Sequence, residues 1–226
     1  LSESARSVSD LNLADSPPLQ EIWHGSQPIP DLCFSNLQSL TVYGCQFLSD
    51  AVLPFNILPF LTKLEKLVVK YCVSVKTIFD VKCITQGIIM TFPMKKLTLR
   101  NLPKLENVWN QNPDGILSMQ LLQKVSVENC KCLTSVFPAS VANALVKLEK
   151  LAVEDCEELM EIVAEDNADS RGANLELTFP CPCVRSLELQ DLPKFKYFYY
   201  CLPQCDMVKT FRHRKPHAED EVCLEK

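Results

Sequence analysis

The sequence predicts an α/β solenoid, on three observations. Apolar residues recur with steps of 3, 2, 3, 3 and 3; that block returns at intervals of 26 to 30 residues along most of the chain; and the blocks are of two alternating kinds. The stretch from Lys147 to Ala164 shows the steps most plainly, with Leu148, Leu151, Val153, Cys156, Leu159 and Ile162 as its apolar positions. A helix repeats its buried face at 3 and 4 residues and a strand at 2, so neither alone produces this order. A short strand (the L-x-L step), then a turn with an inward side chain, then a return segment with further inward apolar residues, does produce it.

This is the rhythm of a leucine-rich repeat, whose period is roughly 20–29 residues. Seven copies start near residues 8, 37, 64, 94, 122, 148 and 184. Copies 37, 64, 122 and 148 carry Cys45, Cys72, Cys130 and Cys156 at the turn; copies 94 and 184 carry Leu-Pro there and copy 8 carries Ser-Pro. The Pro-type copies at 8 and 94 are each followed by two Cys-type copies. An 86-residue unit is therefore used twice and begun a third time, and internal duplication explains it.

Composition agrees. In a solenoid each repeat packs only on its neighbours, so 226 residues need not divide into domains. Five Gly against 15 Pro, the Pro residues punctuating the repeats, suits turns at regular intervals. A net charge of −5 gives no bulk attraction to nucleic acid or an anionic membrane, and no run of 18 apolar residues spans a bilayer. Four of the 12 Cys occupy one inward repeat position. Buried reduced thiols are the expectation, which favours a reducing, cytoplasmic setting. Leu1 is not expected to be the native start.

In chain order, the first repeat (residues 1–36) has a polar strand and reads as the open edge of a longer array, closed by the link Gln27-Pro28-Ile29-Pro30-Asp31. Residues 37–93 hold two Cys-type repeats with apolar back segments, and residues 94–121 a Pro-type repeat ending in Trp109 and a polar turn. Between the repeats at 122 and 148, Pro138 to Leu145 predicts a short helix, with Pro at the entry and Ala favouring continuation. The stretch from Ala164 to Asn174 has no apolar period and predicts a surface loop. The solenoid is expected over residues 1–211, with short helices and loops on its convex side, and a charged, disordered tail over 212–226. A frame of Tyr197, Tyr200, Leu202, Cys205, Val208 and Phe211 is either an eighth repeat or chance.

The two alternating patterns resemble the C-terminal leucine-rich repeats of plant coiled-coil nucleotide-binding disease-resistance proteins. The resemblance rests on Leu148-Glu149-Lys150-Leu151, Cys156, Leu102-Pro103-Lys104-Leu105, Val108-Trp109, Phe92-Pro93 and Phe179-Pro180, and covers residues 8 to 200. It implies a region that senses pathogen effectors or guarded host proteins and holds its receptor inactive by contact with the receptor's nucleotide-binding module. No G-x-x-x-x-G-K-S/T is present, so nucleotide switching is not expected of this chain.

The exposed concave face is expected from the strand positions between the buried ones and the two that follow. One column reads Asp10, Ser39, Lys66, Lys96, Lys124, Lys150 and Ser186; another reads Ala14, Tyr43, Lys70, Arg100, Glu128, Glu154 and Gln190. The protein-binding candidates are Tyr43, Lys66, Lys70, Tyr71, Lys96, Arg100, Glu128, Glu154 and Glu188, a face running from positive to negative that would steer a complementary partner. The plainer reading is a solvated face of Lys–Glu pairs, each worth about 0–1 kcal/mol. Tyr43 and Tyr71 stand out because Tyr is enriched at hot spots.

Chemistry has little support. Cys201, Cys205, His213 and His217 offer metal-ligand types, but 7 residues separate the Cys and His pairs where a zinc finger needs about 12. His24, His213 and His217 belong to no nucleophile motif. No enzyme, metal or cofactor is expected. The reading is a recognition and autoinhibition region of a plant immune receptor with protein partners; the alternative is a stand-alone repeat adaptor or a non-functional receptor fragment.

Overall fold

Every L-x-L step becomes the middle of a five-residue strand, because alternate residues of an extended chain face one side and the two apolar ones must share the core. The computed structural model describes residues 9–14, 34–46, 48, 50–82, 90–113, 117–164, 183–195 and 210–214. Eight strands form one parallel sheet: β1 (Asp10–Ala14), β2 (Ser39–Tyr43), β4 (Lys66–Lys70), β7 (Lys96–Arg100), β10 (Lys124–Glu128), β12 (Lys150–Glu154), β14 (Ser186–Gln190) and β15 (Thr210–Arg214). Each pairs with the strand of the next repeat, equivalent residue to equivalent residue, as Lys66↔Lys96 and Lys124↔Lys150 show. The chain is thus a parallel-stranded solenoid of stacked coils.

Between these strands the described return segments hold shorter ones. β3 (Ala51–Leu53), β5 (Thr77–Phe79) and β8 (Asn107–Trp109) make a three-stranded sheet, β11 (Ser135–Pro138) pairs with β13 (Glu161–Ala164), and β6 (Met90–Thr91) with β9 (Leu117–Ser118). Helix is scarce among the described residues: a 3-10 turn at Leu58–Phe60 and α1 at Ala139–Ala144, where the sequence predicts a helix. Pro138 stands extended at its entry, and Val141 and Ala142 are its buried residues.

The apolar steps all turn inward. Leu148, Leu151, Val153, Cys156, Leu159 and Ile162 are buried, and so are their equivalents in the repeats at 37, 64, 94 and 122. They join one continuous core, against which Leu11 and Phe195 at the two ends are only partly buried. Along the short-strand side Trp109 lies between two rings, 5.4 Å from Phe79 and 6.1 Å from Phe137 by centroid.

The turns after β2, β4, β7, β10, β12 and β14 each hold a left-handed residue. Gly44, Asn101, Asn129, Asp155 and Asp191 take that conformation with φ between 50° and 65°, and Tyr71 does so at 59°. Each left-handed N–H from Gly44 to Asp155 then donates to the last strand residue of the next repeat, for example Asn129 N to Glu154 O at 3.0 Å. The Cys two positions past the strand donates its thiol back to that residue's carbonyl: Cys72 to Lys70 at 3.4 Å, Cys156 to Glu154 at 3.3 Å. A small side chain with a weak donor suits a buried position beside a turn carbonyl.

The C-terminal end departs from expectation. Residues 212–214, placed in a disordered tail by the sequence, belong to β15, which pairs Leu187↔Phe211 and Leu189↔His213. The open edge of β14 offers unpaired N–H and C=O groups that an extended segment satisfies whatever its repeat pattern. The frame beginning at Tyr197 lies outside the described residues up to 209, as do most of the loop from Ala164 to Asn174 and the Pro-rich link after residue 27.

Candidate functional site

Since one face of the main sheet covers the core, the other carries the side chains of strand positions one, three and five. In-register stacking turns these positions into columns that cross the coils, with neighbours about 4.8 Å apart. Position one reads Ser39, Lys66, Lys96, Lys124, Lys150 and Ser186; position five reads Tyr43, Lys70, Arg100, Glu128, Glu154 and Gln190. Between them run the small or neutral Thr41, Val68, Thr98, Ser126 and Ala152, then Glu188. All nine candidates lie on this open face or, for Tyr71, in the turn that borders it.

The charges divide into engaged and unengaged sets. Arg100 Nη2 is 2.6 Å from Glu128 Oε1, and Lys150 Nζ is 2.8 Å from Glu188 Oε1, which also accepts from Ser186 Oγ at 3.2 Å. Among the described residues Lys66, Lys70, Lys96 and Lys124 have no ion pair. Glu65, which precedes Lys66, is held by Lys95 at 2.8 Å. The positive column therefore keeps its charge over three successive strands, which is unfavourable for like charges placed side by side.

At the other end the sign reverses. Glu154 has its carboxyl pKa raised, first by partial desolvation and then by repulsion from Glu128, Asp191 and Asp155, with Arg100 acting the other way. The candidate list thus resolves into a basic patch (Lys66, Lys70, Lys96), a bridging pair (Arg100 with Glu128) and an acidic end (Glu154, Glu188).

Tyr43 and Tyr71 come together, with ring centroids 5.1 Å apart and planes at 53°. Both are exposed, at 53% and 44%. The column of left-handed residues was overlooked from sequence, although its signal was present as Gly, Asn, Asn, Asp and Asp one place past β2, β7, β10, β12 and β14. Within it Asn129 Nδ2 donates to Asn101 Oδ1 at 2.6 Å, a side-chain ladder that stops where Tyr71 begins.

Among the described residues no group of three or more His, Cys, Asp or Glu is placed to hold a metal ion. Cys201, Cys205 and His217 lie outside those residues, and His213 is a strand residue of β15. No described helix is long and apolar enough to cross a membrane.

Residues 7–157 match the family model described as plant disease resistance protein RPS2-like, leucine-rich repeats. No curated protein and no solved structure matches the chain.

Proposed function

The chain belongs to the RPS2-like leucine-rich repeats of plant disease resistance proteins, and on that premise we propose that it is the recognition region of an intracellular immune receptor. It acts by protein contact on the open face of its main sheet, the concave face of such a solenoid. Its partners are a pathogen effector or guarded host protein and, in the resting state, the receptor's own nucleotide-binding module. The setting is cytoplasmic, and the work is done by contacts rather than by chemistry.

The observation that carries this reading is the column Lys66, Lys96 and Lys124, three like charges in register with no carboxylate paired to them among the described residues. A face shaped only by solvation relieves such stacking with neighbouring acids, as Lys150 and Glu188 do one strand later. A partner that brings negative charge relieves it on binding, and the polarity of the face steers and orients the encounter.

The test is a pull-down of the full chain against the receptor's nucleotide-binding module and, separately, host extract. It compares wild type with Lys66→Glu/Lys70→Glu/Lys96→Glu, residues chosen because their reversal breaks no ion pair of the described fold. Lys76→Glu/Lys82→Glu, flanking β5 on another side, is the control, and equal folding is checked by circular dichroism. Capture lost only in the open-face variant supports the reading; equal capture by all three chains defeats it.

A further inference from the structure

Among the described residues the most unusual backbone position borders the most exposed aromatic pair. Every other left-handed residue of the described turns is Gly, Asn or Asp, the types that tolerate positive φ. Tyr71 is bulky and adopts φ 59° all the same, with no compensating burial, since its ring stands in solvent against Tyr43. An Asn in its place would sit at the head of the Asn101–Asn129 ladder. Strain retained where a better-suited residue is used by the next repeats points to a role in binding rather than in folding.

The surroundings define what binds. Lys70 is the register partner of Tyr43, and Lys66 and Lys96 lie in the parallel column. None of the three lysines has an ion pair among the described residues. Val73, two residues past Tyr71, is also exposed and adds apolar surface to the same turn. Two strands on, the position-five column becomes Glu128 and Glu154, which would repel a long polyanion laid along it. Along this column, beside the rings, a ligand's negative charge would have to be short in extent and accompanied by an apolar group.

We infer that Tyr43 and Tyr71, with Lys70 beside them and Lys66 and Lys96 about 13 Å away at the first positions of β4 and β7, are the docking point for a short acidic segment of a partner protein that lays an apolar or aromatic side chain against the two rings. This rests on the reading of the open face as the recognition surface and adds the chemistry of its ligand. Exposed Tyr offers a large rigid contact at little entropic cost, and the lysines hold the flanking carboxylates.

The experiment uses the full chain labelled with 3-fluorotyrosine, the Tyr43 and Tyr71 signals being assigned by substitution. The probes are four short synthetic peptides: one with a central Phe among Asp and Glu, its Asn/Gln counterpart, its Lys counterpart, and the acidic peptide with Ser for Phe. The expected result is saturable shifting of both fluorine signals by the acidic Phe peptide alone. Tyr71→Asn should weaken that binding about tenfold or more while raising the urea midpoint, and Lys66→Glu/Lys96→Glu should weaken it about as much.

The proposal is overturned if the acidic Phe peptide moves neither signal, or if the uncharged peptide binds as well. It is overturned equally if Tyr71→Asn lowers the urea midpoint, which would make Tyr71 a structural residue. Fluorine shifts that follow protein concentration without peptide would make a second copy of the chain the occupant and overturn it too. If the peptides fail while the nucleotide-binding module still loses capture by the open-face lysine variant, only this assignment falls; if both fail, the recognition reading falls with it.

Discussion

Tyr71 turns the chain at a positive φ of 59° and in doing so sets its ring 5.1 Å from that of Tyr43. Local strain and surface chemistry thus meet in one residue. Exchange within the left-handed column tests the strain: Tyr71→Asn should stabilise the fold by up to about 1 kcal/mol, since Asn bears less of the roughly 1–2 kcal/mol that a side chain costs in the left-handed region. The reverse change, Asn129→Tyr, should destabilise by at least as much, since it also removes the bond to Asn101. Urea unfolding of both variants reads the two signs.

Core positions behave differently. Leu151 is fully buried at the centre of the repeat at 148, so Leu151→Ala leaves a cavity. The expected loss is about 2–5 kcal/mol, seen as a lower denaturation midpoint and premature exchange of the amides of β10 and β12. Partner binding should fall only in proportion to unfolding, which separates it from the open-face lysines.

Thiol reactivity tests the register of the coils. Cys132 and Cys183 are exposed, whereas Cys45, Cys72, Cys130 and Cys156 are buried. Contact with Cys156 and burial push the Cys130 thiol well above its usual pKa, so little of the reactive thiolate forms at neutral pH. With N-ethylmaleimide followed by peptide mapping, Cys132 and Cys183 should label in the native protein and the other four only after unfolding. Fast native labelling of Cys130 would displace the repeat frame.

Glu154 supplies a pH dependence. Its carboxyl pKa is raised in the fold, so the folded state holds the proton more tightly than the unfolded chain, and ionisation lowers stability as pH rises through that interval. Glu154→Gln should therefore melt higher than wild type at neutral pH. The gap should close as pH falls below the usual carboxylate value of about 4.5, where both states are protonated. A gap that widens on acidification would reverse the sign assigned to this cluster.

Much of this was legible in the residues. The step of two between Leu151 and Val153, recurring as Leu67 and Val69 or Val125 and Val127, is a backbone period that burial enforces, and it located seven strands of the main sheet. The short helix after Pro138 followed from local preference. The columns of the open face were readable too, because equal spacing of repeats becomes stacking in register.

Other features were not legible, for physical reasons. Which charge pairs with which depends on rotamers: Glu128 is claimed by Arg100, while Lys96, in the parallel column, finds no acid among the described residues. β15 is formed by Thr210–Arg214, a segment without L-x-L, because pairing at a sheet edge is made by backbone groups and leaves no side-chain period to read. The convex side was expected to hold short helices and loops, yet five of the described return segments hold short strands whose paired residues include Phe79 and Trp109.

The proposed recognition surface is tested most directly by lysine footprinting. The full chain is acetylated with an N-hydroxysuccinimide ester, alone and in complex with the receptor's nucleotide-binding module, and each lysine is read by mass spectrometry. If the open face is the docking surface, Lys66, Lys70, Lys96 and Lys124 lose reactivity in the complex while Lys76 and Lys82, beside β5, keep theirs. Protection of Lys76 and Lys82 with the open-face lysines still reactive would contradict it.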